Sequence, residues 1–334
     1  MSIRTLASLQ RHLQWALELE HATIPAYLCA LYSIAEGANV AAQQQLRAVV
    51  MEEMLHMVLV ANVLNAVGGC PKVDDPAFVP SYPTTLPHSD GSVCVQLRRF
   101  DREALQTFLK IERPEPPQAK PEPERYHSIG QFYDAIEAGL RQLAGELGPA
   151  LFSGSVLRQV DPTRWYYGGG GRPIVVSDLA SALAALDEIK AQGEGLPHSV
   201  FDDQAPFGQR ELAHFFRFEQ LRQGRYYRPE DSPRSGPSGD PLPLRWDQVH
   251  PMRSNPCMAD YADQPEVHAL MRRFNLDYTA LLRALHGAFN GQPALLFEAV
   301  PMMYRLKYQA QALMQLPCGD ASGETVGPSF EYCV

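Results

Sequence analysis

The stretch Met51-Glu52-Glu53-Met54-Leu55-His56 places a glutamate and a histidine three residues apart, at Glu53 and His56. On an α-helix, residues with this spacing project from the same face, one turn apart. Both lie on an otherwise apolar stripe that begins at Leu46 and ends at Val67. Burying a bare carboxylate is costly or raises its pKa until it is neutral, and a bound cation removes that cost. The stretch therefore predicts a metal-binding helix over about 41–67.

The same spacing returns in Glu211-Leu212-Ala213-His214. We expect a helix over about 207–224, in which Glu211 and His214 take core positions between Phe207 and Phe218. Two Glu-x-x-His pairs, with one carboxylate from each of two further helices, form the ligand set of a di-metal site in a helix bundle. The pattern therefore requires two further inward carboxylates.

Glu20 is predicted to be the first of these carboxylates. Apolar residues at three- and four-residue steps predict a helix over about 3–36, and Glu20 falls on its apolar stripe. A short turn near Ala38 makes this helix the antiparallel neighbour of the helix over 41–67. Glu20 and Glu53 lie about 18 and 15 residues from that turn, so their side chains are predicted to meet at one level.

Glu194 is predicted to be the second carboxylate, on a helix over about 177–195. It lies about 20° around this helix from Leu183, on the apolar stripe, whereas Glu188 lies about 140° away. Because Glu211 is only about one turn into its own helix, its antiparallel partner should also come from the last turn of this one. The prediction requires a helix that continues to Gly195. A supporting role for Glu188 or Glu219 stays open.

The predicted fold class is mainly α, a four-helix bundle in one domain over 1–334. Its core helices are expected at about 3–36, 41–67, 177–195 and 207–224. A Pro-rich insertion over 70–176 forms a long crossover between the second and third helices, and additional helices and a tail occupy 228–334.

Composition and charge exclude several classes of function. The net charge of -9 and the absence of a Lys/Arg run disfavour nucleic acid as a partner. Glu52, Glu53 and His56 interrupt the most apolar segment, 49–67, which disfavours a membrane span. The six cysteines show no Cys-x-x-Cys pair, and the N-terminus reads as an amphipathic helix and not as a signal peptide. We therefore expect a cytoplasmic protein with reduced thiols.

Four motifs in order resemble a known family: WALELEHATIP at 15–25, EMLHM at 53–57, QGEG at 192–195 and ELAHFFRF at 211–218. Together they are similar to the ferritin-like domain family that includes the ferritin-like part of iminophenyl-pyruvate dimer synthases of violacein-type pigment biosynthesis. The resemblance covers nearly the whole chain. It implies a ferritin-like bundle with a di-metal site made of Glu20, Glu53, His56, Glu194, Glu211 and His214. It does not transfer the dimer-synthase reaction, because those synthases are much longer chains.

These patterns predict a non-haem di-metal carboxylate oxidoreductase. Carboxylates and imidazoles suit two iron ions, with manganese as the other option, and leave positions for O2 or peroxide. The expected partners are O2 and a small, amino-acid-derived metabolite, with neither nucleic acid nor membrane, and a homo-oligomer is compatible with the pattern. The alternative is a ferroxidase or metal-binding protein without an organic substrate.

Overall fold

A computed structural model describes residues 3–116, 118–161, 170–172, 174–196, 198–202 and 211–334. Helices dominate these ranges, and the strands are four two-residue pieces paired as β1 with β2 and β3 with β4, both antiparallel. The strands are β1 (Thr84–Thr85), β2 (Cys94–Val95), β3 (Phe201–Asp202) and β4 (Glu211–Leu212). The α-helices of the described ranges are α1 (Leu6–Ser33), α2 (Val40–Ala66), α3 (Arg102–Ile111), α4 (Ile129–Leu147), α5 (Leu179–Gly193), α6 (His214–Gln223), α7 (Pro265–Phe289) and α8 (Leu296–Leu313).

The helices α1 and α2 form an antiparallel pair close to the predicted bounds. The Thr5 side chain accepts a hydrogen bond from the Ser8 N–H at 3.1 Å and so caps the start of α1. Gly37 has a φ of 76° and Asn39 a φ of 45°, left-handed values that turn the chain between the two helices. The long apolar stripes of both helices are then buried against each other.

Four helices pack in a ring, with α1 against α2 and α4, and α5 also against α2 and α4. The sequence predicted α1, α2 and α5 as core helices but assigned α4 to the insertion. The Ser128–Gln131 capping box starts α4, and its apolar face, which includes Phe132, Ile136 and Leu140, is buried in the core. The insertion therefore contributes a helix to the ring.

The helix predicted over 207–224 begins later, at His214. Residues 207–210 of that prediction lie outside the described residues. Glu211 and Leu212 belong to β4, whose backbone pairs with Phe201 and Asp202 of β3. Ala213 has an extended ψ of 158° and separates this strand from α6. The prediction that Glu211 lies on a helix is therefore wrong, because its backbone pairs with a strand.

The C-terminal helices α7 and α8 form a hairpin that packs against α1 and α2. His21 of α1 contacts Tyr278 of α7 through a buried hydrogen bond of 2.5 Å. Among the described helices only α2 is long and apolar enough to cross a membrane, and 83% of its apolar window is buried inside the protein. Its apolar surface is therefore used in the core. All six cysteines are free.

Candidate metal centre

Glu20 lies in the middle of α1 and faces the interior with only 4% of its surface exposed. The Tyr133 hydroxyl of α4 donates a hydrogen bond to one of its carboxylate oxygens. Its other oxygen lies 3.2 Å from Nδ1 of His56 on α2. Burial by itself would raise the pKa of Glu20, but the hydrogen bond and charge of His56 lower it below its ordinary value.

Glu53 lies one helical turn before His56 and completes a first group of three buried side chains. One atom of each of Glu20, Glu53 and His56 lies within 4.8 Å of the others. The Thr23 hydroxyl donates to Oε2 of Glu53 at 3.1 Å. Burial, together with the negative charge of Glu112, raises the pKa of Glu53 to about 8.

A second group of the same composition shares Glu53. It consists of Glu53, Glu112 and His214, whose ligand atoms again lie within 4.8 Å of one another. Nδ1 of His214 is 3.0 Å from Oε1 of Glu53 and 3.5 Å from Oε2 of Glu112. Glu112 caps the C-terminus of α3, and the Tyr27 hydroxyl donates to its other oxygen. His214 is the first residue of α6, so the contact between α3 and α6 assembles this group.

Both imidazoles direct Nδ1 towards the carboxylates of the two groups and use Nε2 for contacts outside the groups. Nε2 of His56 lies 2.9 Å from Oε1 of the Gln192 side-chain amide on α5, and Nε2 of His214 lies 2.8 Å from Oε2 of Glu52. Since these oxygens only accept, Nε2 donates in both cases and Nδ1 is left with a lone pair when the ring is neutral. Arg217 holds Glu52 in turn, with Nη2 to Oε1 at 2.8 Å. Such outer contacts orient histidine ligands of metal ions.

The donor set could hold a metal ion. Glu20, Glu53, His56, Glu112 and His214 are each at most 4% exposed. Nδ1 of His214 is buried without a hydrogen bond of suitable geometry, although two carboxylates surround it. Burial by itself would lower the pKa of His214, but Glu112 and the other carboxylates raise it well above its ordinary value. A cation in place of a proton would satisfy Nδ1, and carboxylates with imidazoles are common ligands of metal ions.

Comparisons with known proteins agree with this architecture. The sequence profile of the Ferritin-like family matches residues 13–223, which include both groups of side chains. The chain belongs to the ferritin-like family. The predicted resemblance and the predicted helical, ferritin-like fold class are thereby confirmed.

Two ferritin-like relatives extend the similarity beyond the matched segment. A ferritin-like protein from Caulobacter vibrioides has a crystal structure that superposes with a TM-score of 0.68 and 26% identity, over 98% of this chain and 100% of that one. Dichlorochromopyrrolate synthase from Lentzea aerocolonigenes is 27% identical over 318 residues. That match covers 85% of this chain but only 29% of the synthase, so the chain spans under a third of that relative's length.

Of the six predicted ligands, the ferritin-like fold brings four together: Glu20, Glu53, His56 and His214. Glu211 lies apart from the two groups, with 43% of its side chain exposed and Oε2 bound to Arg217 at 3.0 Å. Glu194 also lies apart. It follows α5 as the capping residue, and its oxygens accept from the backbone N–H groups of Gly130 and Glu115 at 2.6 and 2.8 Å.

Glu112 is the residue that sequence reasoning missed. It lies in the segment predicted to be the insertion, outside the four helices predicted to form the core. A signal was present, because Glu112 follows Phe108 by four residues and Leu105 by seven, on the buried stripe of α3. The structure also gives the positions of Glu188 and Glu219: Glu188 contacts Gln192, which in turn contacts His56. Glu188 is fully buried, binds Arg172 at 2.9 Å and lies 3.4 Å from the Gln192 amide nitrogen, whereas Glu219 binds Tyr227 away from the centre.

Proposed function

We propose that this ferritin-like protein is a non-haem di-iron oxidoreductase that uses O2 or peroxide to oxidise a small, amino-acid-derived metabolite, with manganese as the other metal option. The observation that carries the proposal is the pair of buried Glu/His groups that share Glu53. A shared carboxylate between two sets of donors is the arrangement that di-metal carboxylate sites require.

The residues divide between two ions. Glu20 and His56 would hold one ion, Glu112 and His214 would hold the other, and Glu53 would contact both. When bound, two iron ions supply the electrons that reduce O2 or peroxide. Gln192 and Glu52 orient the imidazoles. The Tyr133 and Tyr27 hydroxyls hold Glu20 and Glu112 in place, and the burial of all ligands keeps bulk water away from the ions.

An organic substrate is favoured by the similarity to a synthase that is named for an organic product. Only part of that longer protein corresponds to this chain, so its reaction is not transferred. The parts of the insertion outside α4 and the α7–α8 hairpin also add chain beyond the ring of four helices, which favours an enzyme over a storage protein. We further propose a cytoplasmic protein, with which six free cysteines are compatible.

A ferroxidase without an organic substrate is the second candidate. The burial of all the proposed ligands favours it, because a closed site admits a metal ion and O2 more readily than an organic molecule. The two candidates share the metal centre and differ in what is oxidised.

Anaerobic loading with Fe(II), followed by O2, tests the proposal. We expect two iron ions per chain in the wild type and loss of stoichiometric iron in Glu53→Ala, with helical circular dichroism unchanged. Glu18→Ala is the control, since Glu18 is a glutamate of the same bundle that binds His88 away from the centre. Unchanged iron content in Glu53→Ala would contradict the assignment. O2 consumption that depends on an added amino-acid-derived compound supports the oxidoreductase, whereas oxidation of Fe(II) alone supports the ferroxidase.

A further inference from the structure

An apolar cavity of about 560 Å³ lies between the α1–α2 pair and the α7–α8 hairpin. A smaller cavity of about 50 Å³, bounded by His21 and Tyr278, shares six of its wall residues and extends it inwards. At the outer end, Met51 is 38% exposed and Tyr304 is 60% exposed, so the cavity opens to solvent. Its volume is within the usual range for small-molecule sites in proteins.

The wall combines adaptable apolar side chains with two cations. Met51, Met54, Met57 and Met303 line the cavity, and methionine side chains adjust to ligands of different shape. Arg47 and Lys307 also line it, and none of the described residues in the wall is an aspartate or a glutamate. A molecule that fills this cavity removes its apolar walls from water, and because it binds only the folded state it stabilises the fold.

The two cations have no carboxylate partner within the described part of the chain. Arg47 makes no ion pair there and is exposed on α2. Nζ of Lys307 lies 5.7 Å from the centre of the Tyr308 ring, which is a neutral group. Lys190, by contrast, is paired with Asp134 and Glu137. Two unpaired positive charges at an apolar cavity complement a molecule with one anionic end.

The cavity is separate from the metal centre. At about 100° per residue, Glu53 lies about 100° and His56 about 160° around α2 from Met54, which faces the cavity. The two sites therefore use different faces of one helix. Occupancy of the cavity does not depend on the proposed metal chemistry.

We propose that this cavity binds an amphipathic monocarboxylate of the fatty-acid type. The apolar tail fills the space between Leu28, Met57 and Leu285, and the carboxylate lies at Arg47 and Lys307. Guanidinium and ammonium groups donate charge-assisted hydrogen bonds to a carboxylate, which favours an acid over an alcohol of the same length.

Titration calorimetry with dodecanoate and dodecan-1-ol, on the full chain, tests the proposal. We expect one dodecanoate per chain and about tenfold weaker binding of the alcohol, as expected for loss of a charge-assisted contact. The Arg47→Gln/Lys307→Gln variant should bind both molecules equally and weakly. Arg272→Gln is the charge control, because Arg272 is exposed on α7 and does not line the cavity.

Val300→Trp provides a second variant, since Val300 lines the cavity and is partly exposed, so a larger side chain fills the space from its outer side. It should abolish dodecanoate binding while iron binding stays at the wild-type level. Absence of dodecanoate binding to the wild type would overturn the proposal, and so would binding that neither variant weakens. A dimer of the wild type that Val300→Trp converts to a monomer would also overturn it, by showing that a second copy covers the cavity.

Discussion

Single residues decide which carboxylates can reach a metal ion. Glu112 and Glu211 are both near His214 in the fold, but they face different partners. Glu112 lies 3.5 Å from Nδ1 of His214 and is 3% exposed, whereas Glu211 binds Arg217 and has 43% of its side chain exposed. Arg217 also binds Glu52, so Glu211 contributes to the support of the imidazole on its Nε2 side.

We therefore expect Glu112→Ala to lower the iron content from two ions per chain to one, because the second group loses a carboxylate donor. Glu211→Ala, the matched control, should keep both ions. Iron analysis after anaerobic loading and desalting measures the difference. Loss of iron in Glu211→Ala together with full loading of Glu112→Ala would show that the Glu-x-x-His pattern, and not the packing of α3, supplies the ligand.

At the scale of elements, Glu194 joins the end of α5 to the start of α4. Gly130 is the second residue of α4, and its N–H is one of the groups that a helix start leaves without an intrahelical partner. A carboxylate at this position also interacts favourably with the helix dipole. Burial raises the pKa of Glu194 to about 7, although the hydrogen bonds from the two backbone N–H groups act to lower it.

Glu194→Ala should destabilise the fold by about 1–3 kcal/mol, since it leaves two backbone N–H groups without an acceptor. Iron stoichiometry should not change. Urea denaturation followed by circular dichroism measures the free energy of unfolding. Glu194→Gln should lose less of this free energy than Glu194→Ala, because its amide oxygen still accepts one hydrogen bond. A variant of normal stability that binds fewer iron ions would restore Glu194 as a ligand and contradict this role.

At the scale of the whole molecule, the metal centre joins α1, α2, α3 and α6, so ions bound there should stabilise the entire bundle. A ligand that binds only the folded state adds about 2.7 kcal/mol at a hundredfold excess over its Kd. We expect Fe(II) or Mn(II) to raise the melting temperature of the wild type, and a chelator to reverse the change. Glu53→Ala should show neither effect.

The size of this stabilisation should increase from pH 6 to pH 8. The pKa of Glu53 is raised to about 8, so the metal-free protein keeps this proton below pH 8 and a metal ion must displace it. For one such proton the metal affinity rises about tenfold per pH unit, or about 1.4 kcal/mol. The same linkage makes the metal-free protein less stable as the pH rises from the ordinary glutamate pKa towards 8, because the protonated folded form is then disfavoured relative to the ionised unfolded form. A metal-induced shift that is constant from pH 6 to pH 8 would contradict the role of Glu53.

The sequence by itself determined the helical class, most helix bounds and the inward direction of Glu20, Glu53 and His56. These features depend on local spacing, because periodicity fixes which face of a helix is buried and a short turn fixes the level at which two neighbouring helices meet. His214 was also found, although the helix on which it lies begins at that residue and not before it.

Only the tertiary structure decided which further residues join the site and which helices pack together in the bundle. The pairing of β4 with β3 takes Glu211 out of the helix, and the packing of α3 against α6 brings Glu112 to His214 across 102 residues of chain, the difference between their numbers. Contacts between distant segments also bring the Glu194 side chain to the N-terminus of α4 and bring α4 into the ring of helices. Contacts between distant segments depend on which surfaces fit together, and spacing along one helix carries no information about that fit.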